Sequence, residues 1–167
     1  MKVKLGVILS TVALAVVAQT MISAQSASAT TQYLIKNVAT GKCLEGTDSG
    51  TLNAYTVKMV TCNKATGTQH WDASASKVEL VRSGGAASQI CLSVPTSPSG
   101  DIARSVYTAP CGASGYEQTM EYGITSDYPL APGGGANCYI GHYSSSDTSA
   151  TCYVNDGSYT RWTWVAA

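Results

Sequence analysis

The chain has 167 residues, with ten Lys+Arg against ten Asp+Glu, six Cys, 16 Gly and no Phe, and only 12% of it is charged. That length suits a single domain, and a formal charge of zero with no basic stripe excludes the phosphate-neutralising surface that nucleic-acid binding requires. Gly, Ser, Thr and Pro interrupt every apolar stretch beyond the N-terminal run, which excludes coiled coils and long helices.

Residues 1–29 read as a secretory signal peptide. Lys2 and Lys4 form a short positive region, Leu5 to Ala18 is an apolar run broken only by Gly6, Ser10 and Thr11, and Ala27-Ser28-Ala29 is a small-residue cleavage motif. The run is shorter than the roughly 18–20 apolar residues that span a bilayer, and no later segment has the composition of a span. The expected product is a secreted, extracellular domain of residues 30–167 with eight basic and ten acidic side chains. All six cysteines lie in it, and an even number in an exported chain indicates a disulfide framework.

The cysteines, at 43, 62, 91, 111, 138 and 152, mark a threefold repeat. In the first copy, about residues 32–75, a β-like Tyr33-Leu34-Ile35 precedes Gly41-Lys42-Cys43-Leu44, and Cys62 precedes Gln69-His70-Trp71. The second copy, about 76–124, runs Val78-Glu79-Leu80-Val81, Gln89-Ile90-Cys91-Leu92, Cys111 and Gln118-Thr119-Met120. The third, about 125–167, runs Tyr128-Pro129-Leu130, Ala136-Asn137-Cys138-Tyr139 and Cys152. It ends in Trp162-Thr163-Trp164, where alternation sets Trp162 at the Gln position and Trp164 at the Trp position. Short strands bounded by turns at this frequency predict an all-β fold. Six cysteines allow fifteen pairings; a shared local fold in each copy selects Cys43–Cys62, Cys91–Cys111 and Cys138–Cys152. Trp71, Met120 and Trp164 are the expected shared core.

A threefold unit with Gly-x-Cys-Leu, a second Cys about twenty residues on and a Gln-x-Trp strand resembles the ricin B-type β-trefoil lectins, over about Gln32 to Val165. A leader before a lone trefoil, in so Ala/Thr/Ser-rich a chain, resembles a bacterial product. The resemblance implies a β-trefoil with pseudo-threefold symmetry, one disulfide per repeat and sugar binding through a shallow pocket in each lobe. It further implies an Asp two residues after the first Cys, an aromatic ring two residues before the second, and an Asn-Gln pair. Carboxylates and amides suit the hydroxyl rim of a sugar, and a ring suits its C–H face. Counted from the cysteines, the acid position holds Glu45, Ser93 and Ile140, and the aromatic position holds Val60, Ala109 and Ala150. Thr68 and Glu117 stand where the Asn would be.

Two sets of residues are therefore expected to carry modified, non-standard sugar sites. In the first copy these are Glu45 and Gln69, with Asp48 and Tyr55 beside them. In the third they are the cluster Tyr139, His142, Tyr143, Asp147 and Asn155, with Tyr153 and Asp156 nearby. The second copy offers only Arg104 and Tyr107.

No catalytic residue, metal site or cofactor is expected. His142, Ser144–Ser146 and Asp147 supply triad residue types, but no Gly-x-Ser-x-Gly elbow is present. Gly133-Gly134-Gly135 lacks the Lys-Ser/Thr of a phosphate loop. The expected function is a secreted lectin-like module whose partners are glycans or glycoconjugates. The alternative is a protein-binding trefoil, such as a protease inhibitor or an accessory subunit of a secreted toxin or adhesin, that displays the Val94–Gly100 loop to a secreted partner.

Overall fold

A computed structural model describes residues 31–48, 53–81, 87–97, 103–124, 127–134 and 137–167. The leader reading of residues 1–29, and residues 98–100 of the Val94–Gly100 loop, lie outside this set. The first lobe holds β1 (Tyr33–Asn37), β2 (Lys42–Glu45), β3 (Tyr55–Thr56), β4 (Lys58–Thr61), a 3-10 turn at Gly67–Gln69 and β5 (Trp71–Ser74). The second holds β6 (Lys77–Val81), β7 (Ala87–Pro95), β8 (Arg104–Ser105), β9 (Tyr107–Pro110), β10 (Tyr116–Glu117) and β11 (Met120–Glu121). The third holds β12 (Tyr128–Pro129), β13 (Ala131–Pro132), β14 (Tyr139–Gly141), β15 (Thr151–Tyr153), a 3-10 turn at Ser158–Thr160 and β16 (Arg161–Ala166).

These strands are short because turn-forming residues recur every few positions, and they pair antiparallel around a closed circuit. β1 joins the last strand, from Tyr33 opposite Ala166 to Asn37 opposite Trp162. It also meets β5, which continues into β6, while β11 meets β13. A ring of backbone hydrogen bonds marks the symmetry axis. Val57 N–H donates to the Val106 carbonyl at 2.9 Å, Val106 to Ala150 at 3.1 Å, and Ala150 back to Val57 at 2.9 Å. All three residues are fully buried. The flanking positions repeat the rule: Thr56 pairs with Tyr107, Ser105 with Thr151, and Lys58 with Ser149. This is a β-trefoil. No helix among the described residues is long and apolar enough to cross a membrane.

The disulfides are Cys43–Cys62, Cys91–Cys111 and Cys138–Cys152, each within one lobe as the repeat predicts. Closing loops of this length contributes roughly 3 kcal/mol each. The third bridge, however, is not the symmetry mate of the other two. In the first lobe Cys43 pairs with Val60 and Leu44 with Met59, and in the second Cys91 pairs with Ala109 and Leu92 with Thr108. In the third, Tyr139 pairs with Tyr153 and Ile140 with Cys152. Cys152 thus fills the core position of Met59, Cys138 lies one residue before the counterpart of Cys43, and Asn155 stands where the other lobes have their second Cys. The two backbones still run side by side there: the Cα atoms are 5.4 Å apart, against 5.0 Å in the other bridges, inside the roughly 4.4–6.8 Å a disulfide spans.

This shift corrects the reading of the last strand. Trp71 donates its indole N–H to the Leu44 carbonyl at 3.1 Å, and Trp162, not Trp164, makes the equivalent bond to the Ile140 carbonyl at 2.8 Å. The counterpart of Gln69 is Thr160, which closes the second 3-10 turn. Trp71, Met120, Trp162 and Trp164 all lie in one buried cluster with Ile35, Leu44, Leu80, Leu92, Leu130 and Ile140. Tyr33 and Tyr122 pack their rings on Trp164, at 5.6 and 5.2 Å between centroids, and supply the aromatic volume of the missing Phe.

Candidate functional site

In the first lobe Gln69 is turned inward, while Glu45, Asp48 and Tyr55 are half-buried. Gln69 is buried: Oε1 accepts the Asn63 N–H at 2.8 Å, and Nε2 donates to the Thr61 carbonyl and to Glu45 Oε2, both at 3.2 Å. The side chain therefore shapes the turn after Cys62 and holds the half-buried Glu45 against the barrel. Asp48 is half-buried. Tyr55 sits on the seam with the second lobe, where Thr108 donates its hydroxyl to the Tyr55 carbonyl at 3.3 Å.

The second lobe repeats the arrangement with different chemistry. Gln118 accepts from Gly112 N–H at 2.6 Å and donates to the Pro110 carbonyl and to Ser93 Oγ at 2.9 and 2.8 Å. Ser93, at the acid position, is fully buried and donates to the Cys91 carbonyl. Its cross-strand neighbour Tyr107 meets Tyr116 edge-on at 6.1 Å. Arg104 is buried, with its guanidinium on the Pro95 carbonyl and on Cys138 Sγ.

The third lobe differs because its register differs. The acid position belongs to Gly141, not Ile140, and no side chain fits: a Cβ there would lie 2.3 Å from the Tyr159 carbonyl oxygen. The aromatic position belongs to Tyr153, not Ala150. Tyr153 donates its hydroxyl to the His142 carbonyl at 2.6 Å, and burial, then the neighbouring Tyr143, Asp147 and Tyr159, push its pKa up, so it remains a donor. Tyr143 stacks on it, with centroids 4.7 Å apart and planes 23° apart, and is 58% exposed. Beside this pair opens a cavity of about 350 Å³ lined by Tyr143, Ser146, Asp147, Thr148, Ser149 and Thr151. Alternation along the strand explains part of the lining: Ala150 and Cys152 point into the core, so Ser149, Thr151 and Tyr153 point out, while Ser146 and Thr148 come from the preceding loop. Sequence reasoning passed over Ser146, Thr148, Ser149 and Thr151 because residues of their types look like ordinary loop; the period-two pattern could have signalled Ser149 and Thr151, but not Ser146 and Thr148.

Asp147 organises the loop. Oδ2 accepts the backbone N–H groups of Tyr143 at 2.7 Å and Ser144 at 2.9 Å, and Oδ1 accepts the Ser144 hydroxyl at 3.0 Å. His142 is buried, with Nδ1 2.6 Å from the Ser144 carbonyl oxygen and its ring edge on Tyr159. These residue types hold a loop: the imidazole lies between the Ser144 carbonyl and the Thr40 hydroxyl, 3.3 Å from Nε2. Tyr139 is half-buried across from Tyr153, and Asn155 is exposed beyond the strand. Among the described residues the grouping of metal-ligating side chains, Glu79 with Cys91 and Cys111, has both sulfurs in a disulfide.

The hydrogen bond from Ser144 N–H, helped by the Ser144 hydroxyl and Tyr143 N–H, holds the Asp147 carboxyl below its ordinary 3.8. A folded-state pKa below the unfolded one contributes loop stability that is fully present above about pH 4 and is lost as pH falls through the lower folded value. Near-UV circular dichroism of the stacked tyrosines should therefore show an acid step below pH 4, and Asp147→Asn should abolish it. A step that persists unchanged in Asp147→Asn would refute the assignment.

Comparisons with known proteins agree with this geometry. The ricin-type beta-trefoil lectin domain profile matches residues 11–119. No curated protein matches the sequence. Among solved structures, the designed 3-fold symmetric protein ThreeFoil is 17% identical, with a TM-score of 0.60 over 81% of this chain and 99% of its own. The earthworm R-type lectin C-half, solved with GalNAc, is 10% identical, with a TM-score of 0.57 over 82% and 99%. The Macrolepiota procera ricin B-like lectin, solved with lactose, is 12% identical, with a TM-score of 0.58 over 84% and 98%.

Proposed function

This chain belongs to the ricin-type beta-trefoil lectin family, and from that premise we propose that it is a secreted, non-catalytic carbohydrate-binding module that engages glycans through its third lobe. The observation that carries this reading is the exposed Tyr143, stacked on Tyr153 beside an open cavity rimmed by hydroxyl groups. A ring held flat by a second ring loses little entropy on binding and matches the C–H face of a sugar, while Ser and Thr hydroxyls both donate and accept along its rim. Gln69 and Gln118, the amides the family resemblance would assign to a sugar, are engaged by the protein's own backbone. Three disulfides are compatible with an extracellular site of action.

One shallow site binds weakly, so measurable avidity needs several copies on one surface. The test is an array of multivalent glycans probed with surface-clustered protein. Sugar-competable retention of a subset of glycans supports the reading. Absence of retention, together with capture of one stoichiometric secreted protein that free sugar does not displace, would favour a protein-binding trefoil instead.

A further inference from the structure

The turn between β1 and β2 belongs to the first lobe, but its side chains reach into the third. Lys42 Nζ donates to the carbonyl oxygens of Ser145 and Asp147, both at 2.8 Å. Thr40 Oγ1 lies 3.3 Å from Nε2 of the buried His142, whose Nδ1 faces the Ser144 carbonyl. Asn37 donates Nδ2 to the carbonyls of Tyr159 and Arg161 at 2.9 and 3.2 Å, and its Oδ1 accepts the N–H groups of Ala39 and Thr40, each at 3.1 Å. Gly41, at φ +69°, lets the chain reverse in this small space. Within the Tyr143–Asp147 loop, three carbonyls are therefore held directly or through His142 by one turn of another lobe.

We propose that Lys42 is the positioning residue of the third-lobe site, reaching from 103 residues upstream of Ser145 to fix the loop that presents Tyr143 and the hydroxyl-lined cavity. Asp147 ties the loop to itself: among the described residues its carboxylate accepts hydrogen bonds from Tyr143 and Ser144, which sets local curvature. The supporting hairpin is small, since β14 and β15 have three residues each. At its C-terminal end the loop is tied to the first lobe by the Met59 N–H bond to the Thr148 carbonyl at 2.9 Å, and the ammonium adds the direct side-chain anchor for Ser145 and Asp147. Its two short bonds to neutral carbonyls are charge-assisted, and together they pin the loop on either side of Ser146, a cavity-lining residue. An apolar side chain of similar length, such as Met, would cover the same apolar surface with its stem but could donate nothing. The proposal rests on the glycan reading above for its functional consequence, but not for the anchor itself.

The experiment is amide hydrogen exchange and glycan binding on Lys42→Met and Lys42→Arg, with Lys36→Met as a control from the same lobe. Lys42→Met is expected to accelerate exchange in residues 143–148 selectively and to weaken glycan binding roughly tenfold. Lys42→Arg, which still donates to two acceptors, should restore most of both, and Lys36→Met should change neither. Unchanged exchange in Lys42→Met overturns the proposal whatever the wild type binds. Faster exchange spread over the whole chain and not rescued by Lys42→Arg marks general structural support and also overturns it. Selective acceleration with no glycan bound by the wild type upholds the anchor and sinks the glycan reading instead.

Discussion

Trp162→Phe should destabilise the protein more than Trp164→Phe, although the sequence pattern places Trp164 at the symmetric core position. Trp162 is fully buried and donates its indole N–H to the Ile140 carbonyl at 2.8 Å, as Trp71 does to Leu44. Phenylalanine there removes the donor and leaves a buried carbonyl unsatisfied, a loss of about 1–3 kcal/mol in addition to lost volume. Trp164 keeps 7% exposure and is packed by Tyr33 and Tyr122, contacts that a phenyl ring largely retains. Truncation to alanine at 162 is expected to cost about 3–5 kcal/mol, a large share of the roughly 5–15 kcal/mol that holds a typical domain together. Urea unfolding of the Phe and Ala variants at both 162 and 164 decides the matter. If both Trp164 variants proved the less stable, the alignment of the third lobe by its axis hydrogen bonds would be wrong.

Tyr143→Ala is expected to have the largest effect on binding. The ring is the most exposed of the large apolar and aromatic side chains described, and it is oriented by a second tyrosine that does not depend on it. Aromatic anchors at the centre of a contact typically contribute about 2 kcal/mol or more, so the variant should bind its glycan roughly thirtyfold more weakly. Tyr143→Phe should retain most of the affinity, because the stacking face survives. The Tyr153 hydroxyl, by contrast, is committed to the His142 carbonyl, so Tyr153→Phe should loosen the platform and cost both stability and binding. A Tyr143→Ala protein with wild-type affinity would remove the third-lobe assignment.

The fold was legible in the sequence because a trefoil writes its core three times. The Cys spacing, the strand before each first Cys and the Gln-x-Trp of the first copy together pointed to three lobes and three bridges within them. What misled was the use of the cysteines as a ruler. A disulfide needs only two nearby Cα atoms, and the third copy makes its bridge at a different register from the others. Counting from Cys138 and Cys152 consequently assigned Ile140 and Ala150 to positions that belong to Gly141 and Tyr153, and alternation along the last strand set Trp164 where Trp162 belongs. The proposed site draws on only part of the expected residues. Tyr143 and Asp147 belong to one loop, as the cluster of tyrosines and acids suggested, but the buried His142 serves that loop from within. Nothing local could signal Lys42, because its partners lie in a different lobe and its role exists only once the barrel has closed.

The central claim is that ligand recognition has passed to the third lobe, the polar groups at the expected positions of the other two being engaged by the protein itself. The most direct measurement is chemical-shift mapping of the labelled domain during titration with a mixture of mono- and disaccharides. The account predicts perturbations centred on residues 143–153, with echoes at Lys42 and no response around Glu45 and Gln69 or Ser93 and Gln118. Perturbations centred on either of those amides, with the Tyr143 loop unmoved, would contradict it.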